Sequence, residues 1–195
     1  MVEISASFST GHTAYKHDIR EGQIPKNVDQ SLSHYNLVLV DKLQGKSIEE
    51  YTDEKMQPYI DEYNAKKKRP CLRINKSYSE WHKTESKNKT CPLVYEACVQ
   101  IGDHETLGKI WYENQKSEGL RQFFIKQYTD ILEHMQKEYP HLEIVWATIH
   151  MDEPHGTPHL HIAYQPIGGK YKQGLSHQIS ICNALTCDGI ERVKS

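Results

Sequence analysis

The chain has 195 residues, 37% of them hydrophobic and 26% charged, with a formal net charge of -2. That length suits one sizeable domain or two small ones, and the near-neutral balance argues neither for nor against nucleic acid. No apolar run approaches the roughly 20 residues of a membrane helix, and the N-terminus lacks a signal-peptide core. The five cysteines (Cys71, Cys91, Cys98, Cys182 and Cys187) are odd in number and form no CxxC pair, so they read as reduced cytosolic thiols rather than a disulfide frame or zinc ribbon.

Met1 to Phe8 alternates apolar and polar residues and predicts a first strand. Thr10 to Gln30 is polar and irregular, broken by Gly11, Gly22 and Pro25. Tyr35 to Val40 is β-branched and apolar and predicts a strand. Ser47 to Lys66 predicts a helix, because Met56, Tyr59, Ile60 and Tyr63 recur at i, i+3, i+4 and i+7. A basic loop follows to Lys89, and Cys91 to Ile101 predicts another strand ended by Gly102. Ser117 to Tyr139 is the strongest helix. Ser117 is its N-cap, Leu120, Phe124, Ile131 and Met135 form an apolar stripe joined by Phe123, Tyr128 and Leu132, and Pro140 stops it. Ile144 to Ile149 and His159 to Tyr164 predict two strands joined by a turn with Pro154, Gly156 and Pro158. After Gly168-Gly169, Ser176 to Leu185 predicts a last helix. The order predicts an α+β fold, an antiparallel sheet with helices packed on one face.

The run His150-Met-Asp-Glu-Pro-His-Gly-Thr-Pro-His-Leu-His161 carries the chemistry. Side chains alternate along a strand, so His159 and His161 share a face while Leu160 and Ile162 take the other. A hairpin brings His150 onto the histidine face. Three neutral imidazoles with open coordination positions suit a divalent metal that does chemistry. A lone HxH pair is more often packed or solvated; the third histidine, with Asp152 and Glu153 beside it, is what favours metal. His155 sits in the turn and is expected to be exposed.

From Lys66 to Lys89 the residues Lys66, Lys67, Lys68, Arg69, Arg73 and Lys76 accompany Tyr78 and Trp81. Cations for phosphates and rings for bases suit single-stranded nucleic acid, and a solvated loop explains the same composition equally well.

Three segments together resemble MobV-type relaxases (plasmid mobilisation and recombination, Pre-like) of the HUH endonuclease superfamily. They are Lys16-His17-Asp18-Ile19-Arg20-Glu21, Ser31-Leu-Ser-His-Tyr-Asn-Leu-Val-Leu39, and His150-x-Asp-Glu with Pro158-His-x-His161. The third is the specific one. The resemblance implies an HUH-relaxase-like fold and a single relaxase domain over 1–195, with the C-terminal region of typical members absent.

It further implies a metal-dependent, site- and strand-specific endonuclease and transesterase. Such an enzyme nicks the origin of transfer of a plasmid or mobile element and becomes covalently linked to the DNA. His150, His159 and His161 are then ligands of a divalent metal, Mn2+ or Mg2+. His17 is the nucleophile, Arg20 assists at the phosphate, Glu153 lies near metal and phosphate, and Asn36 belongs to the DNA-contacting set. The implied partners are origin-of-transfer DNA, single-stranded or hairpin near the nick, and the conjugation machinery; the implied location is the cytoplasm. A rolling-circle replication initiator or transposase of the same superfamily, using a tyrosine such as Tyr15, is the alternative within the class. A non-catalytic single-stranded DNA-binding protein and a small-substrate metallohydrolase are the alternatives outside it.

Overall fold

A computed structural model describes residues 3–10, 15–21, 25–114, 117–169 and 171–190. In chain order the elements are β1 (Ile4–Thr10), α1 (Tyr15–Asp18), β2 (Leu37–Asp41), α2 (Ile48–Ala65), α3 (Tyr78–Thr84), β3 (Tyr95–Ile101), α4 (Lys109–Glu113), α5 (Glu118–Glu138), β4 (Leu142–His150), β5 (His159–Gly168), β6 (Gln178–Ile179) and α6 (Ile181–Cys187). The chain divides into two units. The first is Met1–Lys42, Tyr95–Lys137 and Ile144–Tyr164; the second is Leu43–Val94, Glu138–Glu143 and Gln165–Ser195.

The sheet runs β1-β3-β5-β4-β2, with β6 added to the end of β5. β1 pairs with β3, β3 with β5 and β2 with β4, all antiparallel. The expected α+β class holds. Register fixes the faces: Cys98 lies opposite His161 and Gln100 opposite His159, so Glu96, Cys98, His159 and His161 share one side. Val99, Ile101, Leu160 and Ile162 point the other way, into the core of the first unit.

Helix α5 covers that apolar face through Phe124, Tyr128 and Leu132, spaced four apart, and Trp111 of α4 packs with them. Phe124, Tyr128 and Trp111 are fully buried. Each such aromatic contributes on the order of 2–3 kcal/mol by leaving water.

The first unit departs from the sequence reading in one respect that matters. The stretch expected to be irregular contains α1, a single turn of helix on the histidine side, followed by a 3-10 turn over Gln30–Tyr35 capped by Asp29. In the second unit the expected helix is α2, and Ser47 caps it through a full capping box with Glu50. The basic loop is interrupted by α3, whose N-cap is Ser77 accepting from the Glu80 amide. Ser77-x-x-Glu80 was the legible start signal. The last expected helix is a two-residue strand, β6, followed by α6 with Ser180 as its cap.

Tyr78 and Trp81 belong to the core of the second unit, with Met56, Ile60, Leu93, Ile167, Leu175 and Ile179. Tyr78 is 0% exposed, Trp81 8%. The Tyr78 hydroxyl accepts the Ile179 amide at 2.7 Å. Neither ring has a free face for a base, so the stacking role expected of them is withdrawn: apolar residues at i and i+3 in a short helix were core, not a platform.

Candidate active site

The ring centroids of His150, His159 and His161 lie 4.7 to 5.4 Å apart. Each ring is oriented by one nitrogen. His150 Nε2 donates to the Asp18 carbonyl at 2.8 Å, His159 Nδ1 to the Thr157 carbonyl at 2.8 Å, and His161 Nδ1 to the Glu96 carboxylate at 2.8 Å. An acceptor on one ring nitrogen leaves a lone pair on the other, which is how metal-ligating histidines are held. The free atoms are His150 Nδ1, His159 Nε2 and His161 Nε2. His150 is fully buried and its Nδ1 has no hydrogen-bond partner, a costly arrangement unless a ligand takes the lone pair. The donor chemistry suits a divalent cation, with ligand atoms of His159 and His161 clustered beside Cys98 and that of His150 beside His17 and Glu153, each cluster within 4.8 Å. Burial pushes His159 down to about 4, so its lone pair is available at neutral pH.

Two carboxylates stand behind His161. Asp18 is fully buried, accepts the Trp146 indole at 2.8 Å, and has Oδ1 3.6 Å from His161 Nδ1. Burial raises the Asp18 carboxyl above its ordinary value. For His161, burial is outweighed by Glu96 and then Asp18, and the imidazole is raised. Sequence reasoning missed Asp18, Glu96 and Trp146. The alternation of Glu96 and Cys98 within an apolar strand was the only signal, and it needed the register.

His17 follows from α1. Its ring centroid is 5.6 Å from that of His150 and 6.2 Å from that of His161, and it is half-buried. Burial lowers its pKa, and the Arg20 cation lowers it further. The imidazole is neutral at pH 7. Arg20 Nη1 lies 3.3 Å from His17 Nε2. A guanidinium only donates, so Nε2 carries the lone pair.

Arg20 itself is turned into position by a left-handed backbone, φ 58. Its fork is engaged by Asp152, Nε to Oδ2 at 3.1 Å and Nη2 to Oδ1 at 2.6 Å, and Nη2 also reaches Glu153 Oε1 at 2.8 Å. This corrects the role expected of it: the fork is not open to a phosphate, and Arg20 is a positioning residue. Glu153 Oε1 lies 3.7 Å from His150 Nδ1 and 3.9 Å from His159 Nε2. Burial would raise Glu153, but the neighbouring His150 and the hydrogen bond from Arg20 outweigh it and the carboxylate stays ionised.

Asn36 is likewise corrected. Its amide donates to Asp152 Oδ2 at 2.7 Å and its oxygen accepts the Met151 amide at 2.7 Å. Both ends are spent on the turn between β4 and β5, not on DNA. Ser33 adds a third bond to Asp152 at 2.8 Å. The same turn is held from behind by Trp111 Nε1, which donates to the Met151 carbonyl at 3.0 Å. Gly108 packs so close that a Cβ there would meet the Gly156 carbonyl at 2.7 Å. His155 is exposed, as expected.

The basic residues lie in the second unit. Lys66, Lys68, Arg69 and Arg73 are exposed. Lys66 pairs with Glu62 at 2.5 Å, Lys67 sits 4.3 Å over the Tyr63 ring, Arg73 donates to the Lys67 carbonyl, and Lys76 lies between Glu80 and Glu85. Among the described residues no helix is long and apolar enough to cross a membrane.

An antiparallel sheet backed by helices carries a histidine triad on one face, with a fourth histidine beside it. The family described as plasmid recombination enzyme (Mob_Pre) matches residues 26–179, and the chain belongs to that family. Two solved structures similar to it are Mn-bound crystal structures of the MobM relaxase domain (MOBV; Mob_Pre) with plasmid pMV158 oriT DNA (22 nt). The structure at pH 5.5 is 22% identical, covering 89% of this chain and 73% of that chain with a TM-score of 0.50. The structure at pH 4.6 is 21% identical, covering 89% and 74% with a TM-score of 0.51. No curated protein sequence matches the chain.

Proposed function

We propose that this chain nicks one strand at an origin of transfer and becomes joined to the DNA through His17, with a divalent metal, Mn2+ or Mg2+, held by His150, His159 and His161. The observation that carries this reading is the orientation of the triad. Each ring has one nitrogen committed to an acceptor, and the buried His150 Nδ1 has no partner. The solved relatives were crystallised with manganese and oriT DNA, in agreement with this reading.

When bound, the metal supplies charge stabilisation on the non-bridging phosphate oxygens. The chain supplies the rest. His17 is kept neutral by burial and by Arg20, and Nε2 presents the lone pair. Once the Arg20 Nη1 bond to it opens, that nitrogen attacks phosphorus, the bond to the 3′ oxygen breaks, and the 3′ oxygen leaves as a hydroxyl after taking a proton from solvent. The 5′ phosphate stays on His17 as a phosphoramidate. Arg20 aims His17 through Nη1 while its other nitrogens anchor Asp152 and Glu153. Glu153, ionised beside the free nitrogens of His150 and His159, would lie next to the bound ion. Lys66, Lys67, Lys68, Arg69 and Arg73 contact the DNA backbone. The chain acts in the cytoplasm, where plasmid DNA is processed, and hands the linked strand to the conjugation machinery.

The test is incubation with supercoiled plasmid carrying the cognate origin and manganese, then mapping of the nick and of the attached residue. Relaxed plasmid and an acid-labile, alkali-stable adduct on His17 are expected. Binding without nicking would move the chain to the single-stranded DNA-binding class. An acid-stable adduct on Tyr15 would promote the replication-initiator or transposase reading.

A further inference from the structure

Cys98 stands directly opposite His161 across the β3–β5 pair, and His159 is its diagonal neighbour two positions along. Its Sγ and one ring nitrogen from each of those histidines lie within 4.8 Å of one another. Ligand atoms of a tetrahedral site with bonds of about 2.0–2.3 Å are roughly 3.5 Å apart, so a shift of about 1 Å closes the set. His159 is itself 8% exposed and His150 beside it carries a buried, partnerless Nδ1.

We infer that Cys98 is a fourth, conditional metal ligand that sets which metals this site accepts. The inference rests on the reading of His150, His159 and His161 as ligands. A thiolate is soft. It selects zinc, cadmium and cobalt and contributes little to manganese or magnesium, which favour oxygen and nitrogen. With manganese the thiol keeps its proton and the fourth position stays open to a phosphate. With zinc the thiol proton is released to solvent and the sulfur–metal bond forms. Cys98, bonded beside His159 and His161, then fills the position a phosphate needs. Zinc thus binds tightly and shuts the site.

Cobalt(II), added alone to the protein without DNA, reads both levels. Visible d–d bands report a four-coordinate histidine site, and a near-ultraviolet sulfur-to-cobalt charge-transfer band reports Cys98. The band is expected in the natural chain and in a variant with Cys71, Cys91, Cys182 and Cys187 replaced by serine. It is expected to vanish in Cys98→Ser and Cys98→Ala, with circular dichroism unchanged. Zinc affinity should fall at least about tenfold in Cys98→Ser while manganese affinity moves less than about threefold, and zinc should cease to suppress nicking. Intense d–d bands without charge transfer would overturn the Cys98 inference and leave the histidine site standing. A charge-transfer band that survives Cys98→Ser would also overturn it. Absence of d–d bands altogether would bring down the histidine reading itself.

Discussion

Arg20 Nη1 lies 3.3 Å from His17 Nε2, and this one contact fixes which nitrogen of His17 holds the lone pair. The pKa of His17 is lowered below 6.5 by burial first and by Arg20 second. A lowered imidazole loses its proton earlier as pH rises, so more than half of the nucleophile is neutral at pH 6.5. With manganese saturating, single-turnover nicking should rise with pH along an acid limb whose midpoint falls below 6.5. An acid-limb midpoint at or above about pH 7 would contradict this account of His17. His17→Ala should bind manganese and origin DNA yet fail to nick.

Metal affinity should depend on the ligands and on what orients them. His159→Ala should abolish high-affinity manganese binding in calorimetry with the fold intact. Glu96→Gln, which weakens the acceptor on His161 Nδ1, should lower affinity by about 10- to 100-fold. Unchanged manganese affinity in His159→Ala would sink the assignment. His155→Ala should be mild.

Arg20 and Asp152 are a stability pair as well. The Asp152 side chain is fully buried, and Arg20 is its only cation among the described residues. Burial would raise Asp152, but hydrogen bonds from Arg20, Asn36 and Ser33 hold it below its ordinary value of 3.8. Stability from this carboxylate is therefore present above pH 3.8 and lost as pH falls through its lower folded value. Arg20→Met should cost about 3–5 kcal/mol at pH 7, and less near pH 4, where the unpaired carboxyl takes up a proton. A denaturant midpoint shift independent of pH would show that the pair is not the cause.

Asn36→Ala should cost about 1–3 kcal/mol and leave the salt dependence of DNA binding unaltered, because both amide atoms are spent inside the protein. A flattened salt slope without destabilisation would restore Asn36 to the DNA surface.

Neutralising Lys66, Lys67, Lys68 and Arg69 together should flatten the log–log salt dependence of single-strand binding by roughly 0.7 per lost contact. Trp81→Ala should instead cost about 3–5 kcal/mol of stability with an unchanged salt slope. The reverse pattern would exchange their roles.

Much of this was legible in the residues. Period-two alternation in His159-Leu160-His161-Ile162 put two of the three histidines on one face, and the stripe Leu120, Phe124, Ile131 and Met135, joined by Phe123, Tyr128 and Leu132, gave α5, of which Phe124, Tyr128 and Leu132 are the buried side. What was not legible required pairing between distant stretches. Glu96 and Cys98 join the site only because β3 pairs with β5 in one register, and nothing local announces a partner 65 residues away. Asp18 and α1 form a single turn too short for periodicity to reveal. Arg20 and Asn36 were assigned outward roles because a cation and an amide near a motif look available. Their actual partners, Asp152 and Met151, lie more than 110 positions along the chain. Tyr78 and Trp81 failed for the opposite reason: surrounding charge hid an apolar pair belonging to the core.

Asp18 contributes its carbonyl to His150 and its carboxylate to Trp146, and it is the residue next to His17. The nucleophile is therefore tethered one peptide away from the acceptor that orients a metal ligand. By thermodynamic linkage, ordering of α1 and metal affinity must favour each other by the same factor. Amides of 15–21 should exchange hydrogen more slowly with manganese bound, and a DNA that clasps His17 should tighten the ion as well.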